Sequence, residues 1–113
     1  MYKLSYLPVA NHDIVDAVQY IAETLVAPKA ALNLLDALDE SISRLKDFPY
    51  SCRVYQPLEP LEHEYRILNI NNYTVFYTVN EQKKHVEIYR VIYAKRDLDK
   101  QLWNEYFMGR HSL

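Results

Sequence analysis

Apolar positions recur along this chain with two periods, and the change between them divides it. Tyr2–Leu7 alternates, with Tyr2, Leu4 and Tyr6 on one side and Lys3, Ser5 and Leu7 on the other, which predicts a strand. After Pro8 the spacing lengthens. Ile14, Val18, Ile21 and Leu25 step by four, three and four, which lines one face of a helix from about Val9 or Asn11 to Val26. Asp13 and Asp16 fall in its early turns, where a carboxylate suits the helix dipole. Ala27-Pro28 breaks the pattern, and proline fits the first turn of a second helix. That helix is expected over about Pro28–Asp47. Ala31, Leu34, Leu35, Leu38, Ile42 and Leu45 form its apolar stripe, Arg44 and Lys46 its last turn, and Phe48-Pro49 its stop. Two amphipathic helices joined this tightly form an antiparallel hairpin.

The period returns to two from Tyr65 to Asp97. Tyr65–Ile70, Tyr73–Asn80 and His85–Ala94 are dense in Tyr, Val, Ile, Thr and Phe, which suit a pleated, half-buried surface. Asn71-Asn72 joins the first two, and asparagine tolerates the positive φ of a tight turn. Glu81-Gln82-Lys83-Lys84 joins the second to the third. Connections this short make antiparallel neighbours. Strict alternation puts Val86, Ile88, Arg90, Ile92 and Ala94 on one face of the last strand. Glu87, Tyr89, Val91, Tyr93 and Lys95 take the other. Both faces are partly apolar, so helices are expected on one and a partner or ligand near the other.

Tyr50–Glu64 is the least regular stretch, limited by Pro57 and Pro60, with a short extended piece at Ser51–Tyr55. It reads as a solvated connection or as a loop over the functional face. Leu98–Phe107 has helical spacing through Leu98, Leu102, Trp103, Tyr106 and Phe107, and Gly109 ends it. The order strand, helix, helix, three strands, short helix predicts an α+β fold, with the meander joining the first strand in one sheet. A single domain over residues 1–108 with a tail at 109–113 follows.

Composition then removes function classes. The 113 residues allow one modest core, and the 50% hydrophobic content argues for folding. No apolar run approaches a membrane span, and Met1 is followed by a stretch too short and polar for a secretion signal, so a cytoplasmic location is expected. The single glycine, Gly109, rules out a glycine-rich phosphate loop. One cysteine, Cys52, rules out an internal disulfide or a multi-cysteine zinc site. It reads as a small buried hydrophobe. His12, His63, His85 and His111 have no metal-ligand spacing, so neither a metal nor another cofactor is expected. His85 reads as a turn residue. His63, between Glu62 and Glu64, reads as a surface histidine or a general base. The net charge of −2 is unevenly placed: from Lys83 onward there are seven Lys/Arg against four acids.

The remaining candidates are cations. Arg66 and Arg90 lie within strands and need partners if buried. Arg90 either pairs with an acid or reaches the sheet rim. Lys95 and Arg96 form a solvated strand end or a site for a phosphate or an acidic partner, where arginine offers a planar fork of donors.

The ordered set of a Tyr65-Arg66 strand, an N-Y-x-V-F-Y strand from Asn72 and a closing R-V-I-Y-A-K-R-D from Arg90 resembles the RelE/ParE toxins of type II toxin–antitoxin systems. The resemblance covers about residues 2–103. It implies a toxin that arrests bacterial growth, serves plasmid stabilisation, is neutralised by a cognate antitoxin, and meets DNA only through that antitoxin. RelE-like members cleave mRNA on the ribosome with cations that stabilise the developing phosphorane charge. ParE-like members bind DNA gyrase. Two lysines of the RelE-like set match Arg66 and Leu68, and its second-strand arginine matches Thr74. Its arginine after the third strand matches Arg96, and its terminal tyrosine falls near Leu102-Trp103. Arg66 and Arg96 therefore keep a cation, and the rest of the set is missing. Tyr65, Tyr73 or His63 are the available substitutes for the phenol.

The resemblance is closer to the ParE branch and implies a non-enzymatic toxin with gyrase as target. Arg66, Arg90, Lys95 and Arg96 are its candidate target contacts. A ribosome-dependent endoribonuclease acting through Arg66 and Arg96 is the alternative; an inactive, toxin-like interaction module is a third. Trp103, Tyr106 and Phe107 are candidate antitoxin contacts, or else pack a terminal helix on the core. The apolar surface of Ile14–Leu45 would share the antitoxin contact.

Overall fold

The computed structural model describes residues 1–59 and 61–94. Strand β1 (Lys3–Tyr6) leads into helix α1 (Pro8–Gln19), a π-helical turn (Tyr20–Thr24), helix α2 (Pro28–Ser43) and a 3-10 turn (Arg44–Lys46). Strands β2 (Arg66–Ile70), β3 (Tyr73–Asn80) and β4 (His85–Tyr93) follow. They form one sheet in the order β1-β4-β3-β2. The meander is antiparallel, and β1 joins it parallel to β4, with Lys3 opposite His85 and Tyr6 opposite Ile88. A parallel neighbour needs a long crossover, and the helical hairpin is part of it. The architecture is α+β, with both helices on one face of the sheet. Among the described residues no helix is long and apolar enough to cross a membrane. Leu98–Phe107 and the expected boundary at residue 108 lie outside the described residues.

The main core lies between hairpin and sheet. Ala10 and Ala17 from α1 and Leu34, Leu38 and Ile42 from α2 meet Ile70, Val75, Tyr77, Val86, Ile88 and Val91. Complete burial of one such aliphatic side chain contributes about 1.5–3 kcal/mol, so this layer holds the helices down. The α2 stripe is buried as its spacing predicts, except that Leu35 remains 41% exposed. In α1 the buried residues are the small ones, Ala10 and Ala17; Ile14 and Ile21 pack at the margin and Leu25 is exposed. Small residues let α1 lie close to β4. A second cluster, Tyr65, Ile67, Phe76 and Ile92 with Tyr55, Leu61 and Tyr89 against it, lies on the opposite face.

Two expectations change. The first helix does not continue as α-helix to Val26. From Tyr20 it widens into a π-turn, with Leu25 N–H donating to the Tyr20 carbonyl at 3.0 Å, and Val26 then adopts a left-handed φ of 51°. Alternation also fails in β4. Tyr77 pairs with Ile88 but Phe76 pairs with Arg90, so Tyr89 has no opposite residue. This bulge turns the strand's periodicity over. Val86, Ile88 and Val91 all reach the hairpin core, while Ile92 joins the opposite cluster.

Asp13 also has a different role from a helix-dipole carboxylate. It lies beyond the first turn of α1, and its Oδ2 accepts from Arg90 Nε at 2.7 Å and from the Val91 backbone N–H at 2.9 Å. Its Oδ1 accepts from Arg90 Nη2 at 3.0 Å. β1 stops at Tyr6, and Asp13 supplies the acceptor that a longer β1 would have offered to β4. Both side chains of the pair are largely buried, at 7% and 15% exposure. Removing one partner of such a pair leaves a buried charge. Asp13→Ala is therefore expected to destabilise the fold by about 3–5 kcal/mol, and Asp13→Asn by less, as read by urea denaturation.

Candidate functional site

The two strand arginines emerge in different surroundings. Arg66 alternates with Tyr65 and Ile67 and so faces the hairpin side, opposite Tyr77. Its Nη1 donates to the Cys52 carbonyl at 2.6 Å, and its guanidinium lies 5.0 Å from the Tyr50 ring centroid. Glu64 stands 3.9 Å away. Arg66 thus ties the chain after α2 to the start of β2. Arg90 is 6% exposed and bound by Asp13, which is the salt-bridge alternative for this residue. β3 separates β2 from β4, and each arginine is engaged with its own intramolecular acceptor. Lys95, Arg96, Trp103, Tyr106 and Phe107 lie outside the described residues.

Aromatic residues gather on the face away from the hairpin. Tyr65 and Tyr89 meet edge to face at 5.0 Å, and His63 lies 6.2 Å from the first and 6.3 Å from the second. Tyr55 meets Phe76 at 5.1 Å. The irregular segment brings Tyr55, Leu61 and His63 over the sheet, so it is a covering loop as well as a connection. It pairs with β2 through the Val54–Arg66 bridge, within the extended piece expected at Ser51–Tyr55. The β4 bulge at Tyr89 helps place that ring beside Tyr65. Tyr73 is not in this group; it meets Tyr93 edge to face at 5.5 Å on the other side.

A third cluster was not foreseen from the sequence. Glu81, in the β3–β4 turn, accepts from the Tyr2 hydroxyl at 2.6 Å and the Tyr50 hydroxyl at 2.7 Å, and pairs with Lys84. The Lys84 ammonium also lies over the Tyr2 ring. The Lys84 hydrogen bond, then those from Tyr2 and Tyr50, hold the Glu81 carboxyl down at about 2. One carboxylate thereby gathers the N-terminus, the segment after α2 and the last turn. Nearby, Tyr77 is buried and donates to the Pro49 carbonyl at 2.8 Å, and burial pushes its phenol pKa well up. Cys52 is half-buried against the main core. His85 is half-buried rather than a free turn residue, sharing a 2.7 Å hydrogen bond between its Nε2 and Ser5 Oγ. These contacts join residues up to 80 positions apart. The only signal for them was the first strand's alternation, which does not say where that strand docks.

Among the described residues no group of three His, Cys, Asp or Glu is placed to hold a metal ion. RNA cleavage needs a proton acceptor for the 2′-OH and cations at the phosphate. The described residues supply phenols and an imidazole at His63, Tyr65 and Tyr89. Arg66 faces away from them and Arg90 is held by Asp13.

A model of the "ParE toxin of type II toxin-antitoxin system, parDE" matches residues 4–98. Among solved structures, the chain is similar to the chromosomal ParDE TA system from P. aeruginosa. The TM-score is 0.66 at 16% identity, over 84% of this chain and 98% of that one. It is also similar to a metal-bound toxin from Helicobacter pylori, with a TM-score of 0.58 at 14% identity over 82% and 94%. The isolated E. coli RelE toxin gives 0.50 at 14% identity over 97% and 99%. At these identities the likeness is one of fold. No curated protein matches.

Glu81 gives a pH prediction. Its carboxyl titrates lower in the folded chain than the ordinary 4.5, so its stabilisation is present above 4.5. That stabilisation is lost as pH falls from 4.5 through about 2. Glu81→Gln is expected to flatten the loss of thermal stability across this window, measured by circular dichroism melts at stepped pH.

Proposed function

The chain belongs to the ParE toxin family of type II toxin–antitoxin systems, and from that membership we propose that it arrests growth by binding DNA gyrase without catalysing a reaction. The commitment of Arg66 and Arg90 to intramolecular partners carries this reading. A ribonuclease of the RelE type relies on strand cations turned toward a phosphate, and these two serve the fold instead. Lys95 and Arg96 remain the target-contact candidates that follow β4. Such an inhibitor acts in the bacterial cytoplasm, where its target is, and needs no cofactor.

Neutralisation by a cognate antitoxin completes the reading. The outer face of the hairpin supports it: Val15, Leu32 and Leu35 are 51%, 60% and 41% exposed, an apolar surface suited to a partner's amphipathic segment. The ribonuclease alternative draws on the His63, Tyr65 and Tyr89 group, which places acid–base side chains on the face away from the hairpin, beneath the covering loop.

Two assays on the purified chain separate the readings. Gyrase supercoiling of plasmid DNA is expected to be inhibited, and mRNA on programmed ribosomes to remain intact. Arg96→Ala is expected to weaken gyrase inhibition by about tenfold, the loss of one or two charge-assisted contacts. Ribosome-dependent cleavage that disappears on Arg96→Ala would replace the gyrase reading with the ribonuclease one.

A further inference from the structure

A cavity of about 910 Å³ opens between the second half of α1, its π-turn and the ends of β3 and β4. This lies within the range of small-molecule pockets and leaves room for a side chain together with the residues that flank it. Its deepest lining is apolar, with Ala17 and Val91 buried. Tyr20 stands 54% exposed on one wall, and the Tyr73–Tyr93 pair forms another. Asp13, Asp16 and Glu23 bring three carboxylates to the lining, and among the described residues no Lys or Arg lines it. Asp13 is spent on Arg90, but Asp16 and Glu23 have no ion-pair partner among the described residues.

The sequence builds this wall at a local cost. The π-turn widens the helix from Tyr20 to Thr24, and Val26, a β-branched residue, sits at a left-handed φ of 51° just beyond it. Such backbone is strained and persists where surrounding structure holds it; π-turns within helices are frequent at functional sites. Leu25, a lining residue, and Val26 leave apolar surface beside the opening, at 54% and 79% exposure.

We propose that this cavity docks an arginine side chain carried on an apolar-flanked basic segment of the partner protein. The occupant follows from complementarity. Carboxylates without balancing cations attract positive charge. Aromatic faces favour guanidinium over ammonium, because the planar group stacks as well as pairs. The apolar floor accepts the arginine's methylene stem, and Leu25 and Val26 accept its apolar neighbours. Identifying the partner as the antitoxin rests on the toxin–antitoxin reading; the chemistry of the cavity does not.

The test uses the full-length chain and a dye-labelled nonapeptide with one central arginine between leucines and alanines, followed by fluorescence anisotropy. A second peptide carries citrulline, which keeps the shape and removes the charge. The arginine peptide is expected to bind about tenfold more tightly, and Asp16→Asn with Glu23→Gln to remove about three- to tenfold of its affinity. Both acids are exposed helix residues, so the double variant keeps its fold, checked by circular dichroism. Equal binding of the two peptides, or unchanged binding to the double variant, overturns the proposal. Binding that appears only after Lys95→Ala and Arg96→Ala also overturns it, because the chain's own basic pair then fills the cavity. Growth arrest and its rescue by a co-expressed antitoxin are scored separately. Arrest without arginine selectivity defeats the cavity proposal alone; selectivity without arrest supports the cavity and defeats the toxin reading alone.

Discussion

The carboxylate of Asp13 is the point at which the two halves of this protein are joined. It lies on α1, yet its acceptors serve β4: the Arg90 side chain and the Val91 backbone N–H. Beyond Ile88, β4 has lost β1 as a neighbour, and an unpaired buried amide there would cost about 1–3 kcal/mol. Asp13 removes that cost and neutralises Arg90 at the same time. The bulge at Tyr89 makes the arrangement possible, because it reorients the strand just before Arg90. Helix position, strand register and the placement of the aromatic face are therefore coupled through one side chain.

The elements were largely legible because local chemistry and tertiary packing agree. Tyr73–Asn80 is bounded as its composition predicts, and Asn71 takes the positive φ, 54°, expected of the turn before it. Pro28 opens α2 as its restricted φ requires. The misreadings occur where one residue too many enters a regular element. The β4 bulge and the π-turn each hold an extra residue, and no propensity marks either one. Ala10 and Ala17 carry the buried contacts of α1 because close approach to β4 favours small side chains over the larger ones that define a hydrophobic stripe.

The candidate site was legible in kind rather than in place. Arg66 and Arg90 stood out because charged residues inside strands demand partners, but spacing alone could not name Cys52, Tyr50 or Asp13 as those partners. The Glu81 cluster was invisible for the same reason: Tyr2 and Tyr50 reach it only after β1 has docked beside β4. Parallel pairing of the first strand with the last has no short-range signature, so the contacts that depend on it have none either.

The borders of the sheet limit how anything can attach to it. β2 is an outer strand, but its first residues are occupied, with Tyr55 N–H donating to the Tyr65 carbonyl and Ile67 N–H to the Arg53 carbonyl. The opposite outer strand, β1, is only four residues long, and the amide just before it, that of Tyr2, donates to Lys46. Among the described residues, the paired start of β2 and the shortness of β1 leave neither strand a long row of unsatisfied amides and carbonyls of the kind that invites strand addition or fibre growth. Along those two strands a partner is left chiefly side chains to recognise, which makes contact there specific to sequence and weakens self-templating by the free chain.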